Sequence, residues 1–583
     1  MMMPVTGRWD RETWLIAVLA SCVAVATFLF YFHHGCILLY GDAVAHINIA
    51  RRVFDSLTPG LLQLGTVWLP LPHLLMIPFL ISLSAWRTGV GGSIPSMAAY
   101  VLGVIGIFRL VRGSLSFDAE PELAARLAAW LAVLIYAANP NLMYLQTTAM
   151  TESIYLALFV WAIVFFREWL QSVRAADFEL PAYASRSLVR CGLCLAGAEF
   201  TRYDGWFTGA VLAGAALLAA MREGRISFRG GSERLRRDIR NFLLITAAIP
   251  VFWLAYNGII YRNPLEFATG PYSARAIERR TAEPGFPPHP GSHNVRSATQ
   301  YFVKSAESNL AEGNWQKAWL VLAIVGTLLT LVLDSRRAPL LLLWIPLSFY
   351  TLSIAYGGVP LFVPNWWPFS YYNVRYGIQL LPAAAVFVAL ALYFLATVAR
   401  PVPSKIVLGL IGLALVVGSY TSVWRAQPVC FREAWINSRT RLELERQLAD
   451  KLRQLPSNST ILMYLGDHVG ALQDARMPLR RVIHEGNHRT WKQPSDPEGL
   501  WERALADPSR YADFVVCIAG DPVWRATQKQ NLQAIAQIEV AGQPPATIYR
   551  TGRLNQVISR VNHPLLESGM RLAIAVIKSA ATG

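Results

Sequence analysis

The sequence predicts an α-helical polytopic membrane protein with about eleven transmembrane helices, or about thirteen as the alternative, and a small C-terminal extracytoplasmic α/β domain. Three observations carry this. Hydrophobic residues fill 54% of the 583 positions and charged residues only 15%, against about a quarter charged in a soluble chain. Apolar runs long enough to cross a bilayer recur as far as residue 424 and then stop. Arginines gather between those runs, as in cytoplasmic loops of membrane proteins.

The net charge of +16 follows from that arginine distribution and calls for no nucleic acid. Its densest run extends from Arg222 to Arg240 through Arg225, Arg229, Arg234, Arg236 and Arg237. Six cysteines do not make a disulfide framework. Cys191 and Cys194 form a CxxC inside an apolar stretch with no second ligand pair. Cys430 and Cys517 lie in the polar C-terminal part and could pair if it is extracytoplasmic. The first apolar run has no small-residue cleavage site, so it reads as an uncleaved first span.

A spanning helix needs about 20 apolar residues. Candidate spans are 13–33, 92–111, 122–140, 150–168, 187–203, 206–221, 241–261, 316–334, 338–356, 376–398 and 404–424. Arg109 with Arg112, Arg167 to Arg190, Arg222 to Arg240, Arg336 with Arg337, and Arg400 with Lys405 mark the cytoplasmic side. The N-terminus is then cytoplasmic, and segments 34–91, 141–149, 202–206, 262–315, 357–375 and 425–583 lie outside. This alternation closes only if the apolar piece 68–86 does not cross. Pro70, Pro72 and Pro78 suit an interfacial or re-entrant segment there. The chain therefore divides into a membrane module, 1–424, and a soluble domain, 425–583. Two outer loops, 34–91 and 262–315, belong to the first.

After residue 425 the pattern changes. Ala434 to Leu455 reads as a charged amphipathic helix. Short apolar runs at Ile461 to Leu465, Phe514 to Ala519 and Ala546 to Tyr549 read as strands, with a helical stretch at Leu500 to Leu505. Asp467, His468 and Asp521 could touch an acceptor, although strand-end acids more often cap or turn the chain. Pro564 to Ala580 looks amphipathic.

The chemistry-bearing groups predicted outside come from five places. The first loop supplies Asp42, His46, Asn48, Arg51, Arg52 and Asp55, then Gln63, Trp68 and His73. If 43–55 is helical, Ala43, Ile47, Ala50 and Phe54 share an apolar stripe, and Asp42 and His46 lie one turn apart on a surface-lying helix. The second loop leads to Glu152 at the mouth of a span, where a carboxylate is either a site residue or a helix-end group beside Thr151. Arg202 and Asp204 share a short turn, either as a structural pair or with Arg202 facing a lipid phosphate. The long 262–315 loop, with Tyr272, reads as a partly ordered cover. His289 and His293 have HxxxH spacing, but Pro290 and Gly291 argue against a helical metal site. Last comes an aromatic stretch that includes Trp366, Trp367, Tyr372, Arg375 and Tyr376. A guanidinium among aromatics can grip a phosphate with parallel hydrogen bonds, or can simply snorkel in an interfacial belt.

Acids and cations thus collect on one face. The set resembles the GT-C superfamily of polytopic glycosyltransferases, near the protein mannosyltransferase and aminoarabinose transferase branch. The likeness rests on Gly41-Asp42 with its following helix, Thr151-Glu152-Ser153-Ile154-Tyr155-Leu156, Thr201-Arg202-Tyr203-Asp204-Gly205-Trp206, Asn373-Val374-Arg375-Tyr376, and the stretch Tyr261 to Ala274. The resemblance implies inverting transfer of a sugar, a hexose such as mannose, from a polyprenyl-phosphate carrier at the outer face of a plasma (inner) membrane. It implies Asp42 as general base and Glu152 as auxiliary acid. Arg375 would hold the donor phosphate, with His46, His73, Arg202, Tyr272 and Tyr372 also binding substrate. The acceptor could be a protein, a lipid or a glycan. Many relatives carry a second acid after the first, where this chain has Ala43. A divalent metal is thus allowed but not required, and no metal ligands are assigned. Two other readings stay open: a lipid or sugar transporter, which would want inverted repeats that the sequence lacks, and a non-catalytic envelope-assembly protein.

Overall fold

The computed structural model describes residues 10–115, 122–175, 182–222, 226–227, 230–231, 233–281, 284–285, 288–333, 335–398, 402–466, 468–487, 498–528 and 530–553. Arg225, Arg229, Asp467 and the 564–580 segment lie outside these residues. The described chain forms two compact units. One comprises residues up to 50 and 66–438, and the other comprises 51–65 with the residues from 439 onward.

The first unit is helical and is an integral membrane module. Nine helices among the described residues are long and apolar enough to cross a membrane. Leu123–Ala137 and Ala182–Glu199 are helices at the two remaining expected positions. The second of these carries Arg186, Arg190 and Glu199, which lower its hydropathy. The helix Leu381–Val398 is buried along almost its whole length and forms the centre. Gly326, on Trp315–Leu333, lets that helix approach the Phe387 carbonyl so closely that a Cβ would collide with it. Small residues serve this purpose at membrane helix contacts, where backbone proximity replaces the hydrophobic drive.

The proline-rich piece 68–86 is two short helices, Leu71–Leu80 and Leu83–Thr88. Ser82 separates them, and its Oγ accepts from the Ala85 N–H. Ten residues of helix rise only about 15 Å, half of a hydrocarbon core.

The first-loop helix runs Gly41–Arg52. It differs from the surface-lying helix expected. Ala43, Ile47 and Ala50 are fully buried, but so are Val44, His46 and Asn48 on other faces. Phe54 is exposed beyond the helix end. The helix is embedded because Asn48 has partners inside: its Oδ1 accepts from the Trp86 indole at 3.0 Å and its Nδ2 donates to the Val44 carbonyl.

The second unit holds a five-stranded sheet: β1 (Ile461–Met463), β2 (Val482–Ile483), β3 (Phe514–Ile518), β4 (Gln533–Ile538) and β5 (Ala546–Arg550). The order is β2-β1-β3-β5-β4. β1 is parallel to β2 and β3, and β5 is antiparallel to β3 and β4. β3 is central and buried at every position, which matches its unbroken Phe-Val-Val-Cys-Ile run. β4 is a largely exposed edge strand whose apolar residues are interrupted by Gln537, and β2 has only two residues. Neither shows the apolar run that marks a strand in a sequence. Residues 51–65 are tied into this unit. Arg52 pairs with Glu485 at 3.2 Å, and the Asn487 amide donates to Thr58 Oγ1 at 2.8 Å.

Cys430 and Cys517 are both free and buried, so the pairing the sequence allowed does not form. The Cys430 thiol instead points to Asn309 Oδ1 at 3.2 Å. Asp521 is a helix cap: its Oδ2 accepts from the Ile518 N–H and its Oδ1 from the Trp524 N–H.

Candidate active site

The site is organised around Arg375. Asn373, in the left-handed conformation at φ 56°, turns the chain into a 3-10 helix, Val374–Leu380. Asn tolerates that geometry better than most residues, and here its amide also donates to the Pro360 carbonyl. The helix Val295–Leu310 backs this turn. Ser305 Oγ and the Asn309 amide both donate to the Val374 carbonyl. Gly377 faces the Ser305 backbone with no room for a Cβ.

Held this way, the guanidinium meets three carboxylates. Nη2 lies 2.6 Å from Asp42 Oδ2, Nε 3.3 Å from Glu152 Oε1, and Nη1 3.4 Å from Glu433 Oε1. The Arg375 N–H also donates to Glu433 Oε2. The same Arg375 guanidinium lies over the rings of Tyr40 and Tyr376. Tyr40 donates to the Cys430 carbonyl and to Glu433 Oε2. Burial, reinforced by the Glu433 carboxylate, pushes the Tyr40 phenol well above its usual range, so it remains a donor.

A second cation joins through Glu152. Arg202 Nη1 lies 3.3 Å from the same Oε1 and donates to Thr151 Oγ1 at 2.9 Å. Its Nε pairs with Asp204 Oδ2, and its Nη2 donates to the Tyr350 hydroxyl, which donates in turn to Asp204 Oδ2. Of the two alternatives for Arg202, the pair with Asp204 is present, and the same side chain also reaches the Glu152 cluster. Thr151 serves as an acceptor for Arg202.

His46 and His73 form a separate buried pair, Nδ1 to Nε2 at 2.9 Å, with the Trp68 ring against His46. Burial, then the charges of Arg375 and Arg202, pushes His46 down to about 3. It is therefore neutral at physiological pH, and one ring nitrogen donates to the other. Tyr372 is exposed, its backbone bridged to Phe362. Partial burial, with the nearby Asp42 carboxylate, raises its phenol. Tyr272 is exposed on the turn before the helix Ala274–Thr281. His289 Nε2 binds the Ile354 carbonyl, while His293 gives its N–H to the Ala355 carbonyl. Among the described residues no three His, Cys, Asp or Glu side chains are grouped to hold a metal.

Glu433 is the member that sequence reading missed. It follows the last apolar span in what looks like an ordinary charged helix, and nothing local distinguishes it from Glu443 or Glu445. An apolar cavity of about 410 Å³ is lined by Leu310, Trp319, Leu320, Ile324, Trp344 and Leu380, the last of these ending the 3-10 helix that carries Arg375.

This polytopic helical module, with a small α/β unit after its last long helix, has a GT-C-like fold. Among solved structures the chain is similar to ArnT from Cupriavidus metallidurans bound to undecaprenyl phosphate. The TM-score is 0.51 at 13% identity, over 93% of this chain and 98% of that one. The archaeal oligosaccharyltransferase AglB from Archaeoglobus fulgidus, in complex with an inhibitory peptide and a dolichol-phosphate, gives 0.46 at 12% identity, over 87% and 69%. At 13% identity the likeness to ArnT concerns the fold. No known family pattern and no curated protein sequence matches the chain.

Proposed function

We propose that this protein is a membrane glycosyltransferase that moves a sugar from a polyprenyl-phosphate carrier to an acceptor hydroxyl on the outer face of the membrane. One observation carries the reading: a partly exposed carboxylate, Asp42, stands 2.6 Å from a buried guanidinium, Arg375. Transfer from a lipid phosphate needs both groups within one substrate's reach.

Asp42 takes the proton of the acceptor hydroxyl. The oxygen attacks the sugar's anomeric carbon, a new C–O bond forms, and the bond to the phosphate oxygen breaks. The electron pair leaves with the polyprenyl phosphate, whose charge Arg375 receives. Attack opposite the leaving group inverts the anomeric centre. Glu152 bridges and orients Arg375 and Arg202. The His46–His73 pair offers hydrogen bonds to sugar or acceptor hydroxyls, and Tyr372 borders the opening. The apolar cavity near Leu380, on the same segment as Arg375, suits the carrier's tail. The donor set fits a metal poorly, because Ala43 adds no second carboxylate and a guanidinium already faces Asp42. The fold similarity to ArnT, whose structure was solved with undecaprenyl phosphate bound, agrees with a polyprenyl carrier. In this reading the protein lies in the inner membrane, its N-terminus is cytoplasmic, and residues 425–583 are extracytoplasmic.

The test is to incubate the purified protein, wild type and Asp42→Asn, with a panel of labelled polyprenyl-phosphate sugars, hexoses such as mannose included. Label passing to an acceptor in wild type alone is expected. No transfer from any carrier would remove the reading.

A further inference from the structure

We infer that Asp42 is a placeholder on Arg375, and that the phosphate of the polyprenyl-linked donor displaces it. This rests on the glycosyltransferase reading above. The argument starts from occupancy. All three nitrogens of Arg375 already face carboxylates: Asp42, Glu152 and Glu433. A phosphate that binds Arg375 must take the place of one of them.

Exposure decides which. The Glu152 side chain is 0% exposed and that of Glu433 2%, whereas Asp42 is 43% exposed. Turning either buried acid away would strand a charge in a low-dielectric interior, at severe cost. Asp42 can swing into water with little penalty. Attachments point the same way. Glu152 is also bonded to Arg202, and Glu433 to Tyr40 and to the Arg375 N–H.

The exchange links two steps. The incoming phosphate gains the Nη2 edge of Arg375, and Asp42 loses its cation. Freed of that contact, the Asp42 oxygen can face the acceptor hydroxyl instead of Arg375. The base is therefore released where and when the donor arrives. Binding is ordered, donor before acceptor, and an acceptor that enters first meets a carboxylate already engaged.

The exchange makes a counterintuitive prediction, because removing the base should improve donor binding. Titrate purified full-length protein with farnesyl phosphate, a short polyprenyl phosphate, by calorimetry, and measure thermal unfolding and sugar transfer on the same preparations. Asp42→Asn is expected to bind about threefold to tenfold more tightly than wild type, the scale of a lost partly buried ion pair. Arg375→Gln is expected to lose binding in both the wild-type and Asp42→Asn backgrounds. Asp42→Ser repeats the measurement if Asp42→Asn folds poorly. Equal or weaker binding by a normally folded Asp42 variant overturns the exchange. Tight binding that survives Arg375→Gln also overturns it. An Asp42 variant that loses transfer without gaining affinity removes this inference and leaves the functional reading intact. Absence of transfer from every carrier in wild type removes that reading instead.

Discussion

Arg202 and Arg375 share one carboxylate oxygen: each places a nitrogen 3.3 Å from Glu152 Oε1. Both guanidiniums also lie over the ring of Tyr376, at 5.2 Å and 5.1 Å. Two cations this close repel unless an anion bridges them, and Glu152 supplies the anion from the start of a neighbouring helix. The bridge makes the two arginines one unit.

Glu152→Gln should therefore act on both cations. It leaves two buried guanidiniums short of charge, a change that costs about 3–5 kcal/mol where buried pairs are broken. A large fall in the unfolding midpoint is expected in detergent. Transfer should fall with it, and a variant as stable as wild type would contradict the bridge.

Asp42→Asn should behave in the opposite way. The side chain is the most exposed of the Arg375 partners, so folding persists while the proton acceptor is lost. Turnover should fall by about a hundredfold to ten-thousandfold, the usual contribution of a general base. The measurement is kcat for sugar transfer beside an unchanged melting curve.

Glu433→Gln removes charge from behind Arg375 but keeps a polar side chain for Tyr40 and the Arg375 N–H. Arg375 then loses part of its anchorage. The KM for the donor should rise more than kcat falls. A kcat loss with KM untouched would assign Glu433 a different role.

Gly377→Ala tests the support. Its Cβ would collide with the Ser305 backbone, so the 3-10 turn must shift away from the helix Val295–Leu310. A shift of about 1 Å at a reacting geometry can cost about a hundredfold in rate. Loss of transfer is expected without substitution of any charged residue, and normal activity would show that the turn tolerates displacement.

His46 sets a pH dependence. Its folded value, about 3, lies below the unfolded 6.5. Between these values the unfolded chain binds a proton that the folded chain refuses. The stability contribution is complete above pH 6.5 and is lost as pH falls toward 3, at up to about 1.4 kcal/mol per unit. Unfolding midpoints should drop through this window, and His46→Gln should flatten the drop. An equal slope in the variant would assign the acid sensitivity to other groups.

The sequence by itself determined the helical membrane architecture, since apolar runs and arginine placement are local or periodic signals. Helices occur at every expected span position, and the strong strands β1, β3 and β5 were legible because each is a short apolar run. Strands β2 and β4 were not, one being too short and the other alanine-rich and interrupted by Gln537. Glu152, Arg202 and Arg375 could be singled out because a charge at a span end is conspicuous, and Asp42 because it is a carboxylate in the loop just after the first span. Only the tertiary structure decided which charges touch. Ion pairing depends on how separate helices pack, and that left no local trace at Glu433, which pairs with Arg375 from 58 positions away. The burial of the Gly41–Arg52 helix on nearly all sides was decided in the same way. Its single apolar stripe described one packing face, whereas Asn48 and His46 turn inward because Trp86 and His73 wait there as partners.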